Sequence, residues 1–168
     1  MSTAIIPGSF DPITLGHLNI IRRTSRIFDN VIVAVMNNVN KTSPMFSIDE
    51  KLEMARISTA KYSNVEVVHF DGLLAEFAKQ YPDAVVVKGL RAASDFEYEF
   101  QMNNANKIIN PELETMFLTA DGKYTFLSSS IVREMAYYGA SLKGLVPDEI
   151  INSIENKAAL WRVNNGKQ

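Results

Sequence analysis

This 168-residue sequence predicts an α/β fold, a five-stranded parallel sheet covered by helices on both faces. Three observations carry the prediction. Five short, mostly β-branched or apolar runs alternate with stretches of helical spacing along the whole length. The runs are apolar on consecutive residues, as strands buried on both faces are. No repeat, low-complexity segment or linker breaks the alternation, so residues 1–168 read as one domain with Asn164–Gln168 as a frayed tail.

The expected strands are Thr3–Ile6, Val31–Met36, Val65–Phe70, Ala84–Lys88 and Thr115–Thr119. The first helix carries Leu18, Ile21, Arg22 and Ser25 on alternating faces with Ile20, Ile27 and Phe28. A second opens on Ser47-Ile-Asp-Glu50, a capping-box pattern. The third runs from Leu73 to Gln80, and the fourth opens on the box-like Ser94-Asp-Phe-Glu97 and stops before Pro111. A fifth follows Ser128–Ser130 and ends near Gly139. The last starts at Pro147, a favoured first position, and carries Ile150, Ile151, Ile154 and Leu160.

Composition narrows the function. Seventeen basic residues against 19 acidic give a net charge of −2, which argues against sequence-independent grip on nucleic acid. The sequence has no cysteine, which excludes disulfides, thiolate metal sites and cysteine nucleophiles. Its longest aliphatic stretch, Val31–Met36, is far short of the roughly 20 residues that span a bilayer. With no secretory pattern at the start, a soluble cytoplasmic protein without a membrane partner is expected.

Ligands of such folds sit at the carboxyl ends of the strands, so those loops are where chemistry belongs. After the first strand, Pro7-Gly8-Ser9-Phe10-Asp11-Pro12-Ile13-Thr14-Leu15-Gly16-His17 lacks both common phosphate-loop patterns. It offers instead a Gly-His pair at a helix start, where free amides gather and anions bind. A tight turn with His17 as a helix cap would satisfy the same string. After the fourth strand, Lys88-Gly-Leu-Arg91 brings two phosphate-binding cations around a glycine that allows close backbone approach. Asp95, Glu97 and Glu99 follow on the next helix; the helix dipole accounts for Asp95, and Glu99 lies deeper. After the fifth strand, Tyr124-Thr-Phe-Leu-Ser-Ser-Ser130 puts three serines at a helix start, more than an N-cap needs. Asn37–Lys41 is a polar loop with one cation, and His69, at a strand end, reads as structural or peripheral.

These strings carry a family resemblance. Thr14-x-Gly16-His17 is similar to the first motif of the nucleotidyltransferase superfamily, and Ser128-Ser-Ser-x-x-Arg133 resembles its second. The longer strings Pro7–His17, Lys88–Glu99 and Phe126–Glu134 resemble bacterial phosphopantetheine adenylyltransferases over roughly residues 3–160. The resemblance implies a Rossmann-like nucleotidyltransferase fold. It also implies adenylyl transfer from ATP to 4′-phosphopantetheine with Mg²⁺, inhibition by coenzyme A, and a homohexamer. Carried over residue by residue, it makes His17, Lys41 and Arg91 the catalytic set. Ser9, Phe10, His17, Gly89, Leu90, Arg91, Glu99, Tyr124, Thr125, Phe126, Leu127, Ser128, Ser129 and Ser130 would meet the nucleotide. Ser9, Lys41, Leu74 and Lys88 would meet the acceptor, and no protein metal ligand is implied. Three features depart from the family's common pattern, one of them the loop Thr42-Ser43-Pro44 after Lys41, one residue longer than in some relatives. Ser9 keeps the hydroxyl of the usual threonine, whereas Lys88 keeps the charge of the usual arginine but loses its bidentate fork.

The charges suggest how such a site would work. A phosphate monoester with a second pKa of about 6 is largely a dianion at pH 7 and needs no general base. Its difficulty is repulsion from the nucleotide's phosphates, so catalysis would rest on positioning and electrostatic stabilisation, with His17 as a transition-state stabiliser. Related acceptors remain open on these strings, namely nicotinamide mononucleotide or a cytidylyl reaction, as does a non-catalytic ATP sensor.

Overall fold

The computed structural model describes residues 1–37 and 43–165. The order is β1 (Thr3–Gly8), α1 (Leu15–Thr24), β2 (Asn30–Met36), α2 (Ile48–Thr59), β3 (Val65–Phe70), α3 (Leu74–Ala78), β4 (Val85–Leu90), α4 (Ala93–Ile109), β5 (Glu114–Thr119), α5 (Ser129–Tyr137) and α6 (Ile151–Asn165). Single 3₁₀ turns lie at Gly122–Tyr124 and Asp148–Ile150. The strands form one all-parallel sheet in the order β3-β2-β1-β4-β5.

Alternate residues of the inner strands point to opposite faces, and each face builds its own core. Ala4, Ile6, Val31, Val33 and Val35 pack with Leu18 and Ile21 of α1, Leu52 and Ala55 of α2, Val132 and Ala136 of α5, and Ile154 and Ala158 of α6. Ile5, Ile32, Ala34 and Val86 face the other way, onto Ala75, Phe77 and Ala78 of α3. Inner strands enclosed on both sides must be apolar at every position, which is the pattern the sequence carries.

The helix ends differ from expectation in instructive places. The capping box at Ser47–Glu50 forms, and Glu50 also pairs with Lys157 of α6 at 2.7 Å. The box at Ser94–Glu97 does not. Helix α4 starts earlier, after Ala92, and Asp95 reaches back to the Arg91 amide at 3.0 Å. Helix α1 stops at Thr24, leaving Ile27 exposed, and α3 is shorter than its periodic stretch. Pro147 starts a 3₁₀ turn rather than α6 itself, and Leu160 faces solvent. Helix α4 has no buried residue. Phe96, Tyr98, Phe100 and Met102 on it are exposed, as is Met116 on the edge strand β5.

Candidate active site

Strand order reverses between β1 and β4, the switch point at which parallel α/β sheets open a crevice. Here the crevice is physical. Strand β1 pairs with β2 along its full length, Thr3 to Gly8, but with β4 only at Ala4↔Val85 and Ile5↔Val86. Beyond Ile5 the two strands part. A cavity of about 650 Å³ opens between Ile6–Gly8 and Val87–Gly89, within the usual range for small-ligand sites.

Its walls come from loops the sequence singles out. At one side His17 sits on the first turn of α1 and closes a capping box with Thr14. The Thr14 hydroxyl accepts the His17 amide at 3.3 Å, and His17 Nδ1 accepts the Thr14 amide at 3.0 Å. The cap reading and the functional reading of His17 are thus compatible. With Nδ1 occupied as an acceptor, the neutral ring carries its proton on Nε2 and presents a donor rather than a base.

Phe10 steadies that ring from behind. Its backbone lies in the left-handed region at φ 43°, a strained conformation for a bulky residue. The strain is held by burial: Phe10 is 2% exposed and meets the His17 ring edge-on at 5.0 Å. Room for it exists only because residue 8 is glycine, where a Cβ would fall 2.9 Å from the phenyl ring. Gly89 matches this on the opposite wall, where a Cβ would lie 2.9 Å from Ile20 Cγ1.

The cations of the β4 end are held by carboxylates. Lys88 Nζ lies 3.2 Å from Glu99 Oε2. Arg91 pairs with Asp95 through Nε at 3.2 Å and Nη2 at 3.4 Å, and donates through Nη1 to the Leu127 carbonyl at 3.2 Å. Burial by itself would raise the Asp95 pKa; the hydrogen bonds from the Arg91 amide and guanidinium outweigh it and hold the carboxyl below its ordinary range. Opposite them α5 begins. Ser128 caps it by accepting the Ile131 amide at 3.2 Å, Ser129 donates to the Pro12 carbonyl at 2.8 Å, and Ser130 accepts from Arg133 at 3.2 Å. The extra serines therefore lock the helix start against the β1–α1 loop and also line the cavity.

The chain is similar to known proteins along most of its length. A family model described as cytidylyltransferase-like matches residues 5–135. A phosphopantetheine adenylyltransferase of Clostridium botulinum is 52% identical over 157 residues, covering 94% of this chain and 95% of that protein. Another of that name, from Dictyoglomus turgidum, is 50% identical over 157 residues and 98% of its own length. The chain belongs to the phosphopantetheine adenylyltransferase family. A solved structure named for a nicotinate-nucleotide adenylyltransferase of Vibrio parahaemolyticus aligns over 98% of this chain and 93% of its own. Its TM-score is 0.64 at 19% identity, which shows a shared fold.

Within this phosphopantetheine adenylyltransferase family member, most of the expected nucleotide residues meet at one cavity. Ser9, Phe10, His17, Gly89, Arg91 and Glu99 line it, as do Tyr124 and Leu127–Ser130, together with the acceptor residue Lys88. Leu90, Thr125 and Phe126 do not line it, and Phe126 is exposed at 57%. Leu74 also lies off the cavity, half-buried against the α3-side core. Lys41 lies outside the described residues. His69 lies off the cavity, and its Nδ1 bonds to the Val35 carbonyl at 2.8 Å. Sequence reasoning missed Tyr98 as a wall residue and assigned Asp95 to the helix dipole alone, although it grips Arg91. The Arg91–Asp95 spacing of four was the available signal.

Proposed function

We propose that this chain transfers the adenylyl group of ATP to 4′-phosphopantetheine, forming 3′-dephospho-coenzyme A and pyrophosphate. The observation that carries the reading is the parting of β1 and β4, which puts His17, Lys88, Arg91 and the α5 start around one cavity. An acceptor phosphate oxygen bonds to the α-phosphorus as the bond to the bridging oxygen breaks, and pyrophosphate leaves. No side chain has to remove a proton, because the attacking monoester is already largely ionised at neutral pH.

Lys41 and Lys88 hold the acceptor phosphate, with Leu74 beside its arm. Lys88 exchanges its contact with Glu99 for the incoming dianion. His17 donates from Nε2 to the α-phosphate as charge builds there, and Arg91 with the amides of the α5 start receives the departing phosphates. Magnesium would be held by the nucleotide's own phosphates, with no residue of this chain assigned to it. It commonly binds through substrate phosphates, waters and one or two carboxylates, so it needs no protein cage. Among the described residues no cluster of three His, Asp or Glu could form one. The ion supplies charge neutralisation on the phosphates.

The exposed apolar face of α4 supports assembly with copies of the same chain in a homohexamer. Among the described residues no helix is long and apolar enough to cross a membrane, and we place the enzyme in the cytoplasm. Coenzyme A, which shares the pantetheine arm of the product, is the expected inhibitor.

Pyrophosphate release with ATP, Mg²⁺ and 4′-phosphopantetheine tests the reading, run beside nicotinamide mononucleotide with ATP and glycerol phosphate with CTP. Dephospho-coenzyme A formed in the first reaction alone is expected. Turnover only with a rival acceptor replaces the acceptor assignment, and ATP binding without turnover in any arm replaces the enzyme by a sensor. Sedimentation of the purified chain tests the hexamer.

A further inference from the structure

Beside the cleft lies a buried charge that the reaction as described leaves unused. Asp11 follows Ser9 and Phe10 in the β1–α1 loop, and its side chain is 1% exposed. Its Oδ1 accepts the Phe46 amide at 3.0 Å and its Oδ2 the Met45 amide at 3.2 Å. Lys51 of α2, itself 4% exposed, places Nζ 3.9 Å from Oδ1. Arg133 of α5 lies 3.4 Å from Oδ2 and donates to the Asp11 carbonyl at 2.6 Å. The same guanidinium reaches Ser130 Oγ, and Ser129 bonds the Pro12 carbonyl next in the chain.

We propose that Asp11 is a positioning residue that keeps three segments in mutual register, two of which line the cavity. They are the β1–α1 loop carrying Ser9 and His17, the 43–47 segment leading into α2, and the head of α5. Only a carboxylate can accept amides on both oxygens while answering two cations. The inference rests on the adenylyl-transfer reading, in which the β1–α1 loop and the head of α5, both lining the cavity, hold different parts of the reacting pair. Their relative placement then governs how often acceptor oxygen and α-phosphorus meet in line, and small displacements of such groups cost turnover heavily.

Asp11→Asn by itself leaves Lys51 buried without its counter-charge and turns an amide NH₂ toward a backbone N–H, so it threatens folding as well as register. The paired variant D11N/K51M restores the cluster's charge while leaving one of the two backbone amides without an acceptor. With ATP, Mg²⁺ and 4′-phosphopantetheine, D11N/K51M is expected to melt cooperatively near the wild-type midpoint yet lose about tenfold or more in kcat. Both KM values should change less than kcat, and the amides of Met45 and Phe46 should exchange with solvent faster. A purely structural Asp11 predicts the opposite, kcat returning together with the melting midpoint, and wild-type kcat in the folded double variant overturns the proposal.

Should D11N/K51M not melt cooperatively, Arg133→Gln carries the test. It leaves Asp11 its amides and Lys51 but cuts the strap to α5, so a several-fold kcat loss at an unchanged midpoint supports the proposal and an unchanged kcat overturns it. The wild-type reaction run alongside separates the two readings. No dephospho-coenzyme A from wild type rejects adenylyl transfer, whereas the exchange rates still report whether Asp11 anchors the 43–47 segment.

Discussion

The two seams beside β1 make opposite use of the same strand. Toward β2 six residues are paired, and Ala4–Ile6 and Val31–Val35 along that seam are buried. Toward β4 only two are paired, and the freed carboxyl ends become the walls of the cavity. The closed seam supplies stability and the open one supplies chemistry. A parallel sheet can do both because its ladder need not run the full length of every strand pair. On the open side the left-handed Phe10 is clamped by core packing beneath it.

Substitutions on each side should separate the two roles. His17→Ala, on the open side, should lower kcat by about 10²–10³-fold, the loss typical of one transition-state donor, with little change in ATP affinity. Steady-state kinetics beside a binding titration checks this, and parallel losses in both would remove the transition-state role. Ile32→Ala, in the closed seam, should cost about 2–5 kcal/mol of stability while leaving the KM values of the folded fraction unchanged. Thermal melts and assays well below the midpoint would show it. Gly89→Ala tests the border between the two, since the added methyl collides with Ile20; overpacking of this kind costs about 1–3 kcal/mol. It should also shift the Lys88–Arg91 wall, so kcat/KM should fall along with the melting midpoint.

The smallest effect is acid sensitivity. Asp95 lines the open side, while Glu50 ties α2 to α6 on the closed one. Burial would raise both pKa values. For Asp95 the Arg91 donors prevail, and for Glu50 the hydrogen bonds from Lys157 and the Ser47 amide prevail, so both carboxyls titrate below their ordinary range. Their contributions are therefore present above roughly pH 4–5, the ordinary carboxyl range, and fade as the pH falls through the lower folded values. Melting midpoints measured from pH 6 down to pH 3 should decline, and the decline should be shallower in Asp95→Asn. An equally steep decline in that variant would remove Asp95 from the account.

The strands could be read because enclosure on both faces leaves a continuous apolar signature, and the Ser47–Glu50 box because its partners are three residues apart. The misplaced start of α4 shows the limit. Ser94–Glu97 has the right residue types, but Asp95 is drawn to Arg91, a contact that follows from where the end of β4 delivers that arginine. Leu160 is apolar like Ile154, but it stands six positions further on, about 120° around the helix, and so falls off the face that Ile154 and Ala158 turn to the core. Periodicity measures a local angle, and which face meets the sheet is a global choice.

By itself the sequence determined the alternation of strands and helices, the parallel sheet, and the loops where His17, Lys88, Arg91 and Ser128–Ser130 would act. Each of these rests on neighbours within a few residues. Only the tertiary structure decided that β1 and β4 part after two pairs, that Phe10 fills the space Gly8 leaves open, and that Asp11 gathers Met45, Phe46, Lys51 and Arg133. The Asp11 groups lie 34 or more positions away along the chain, and no local propensity encodes a contact over that separation.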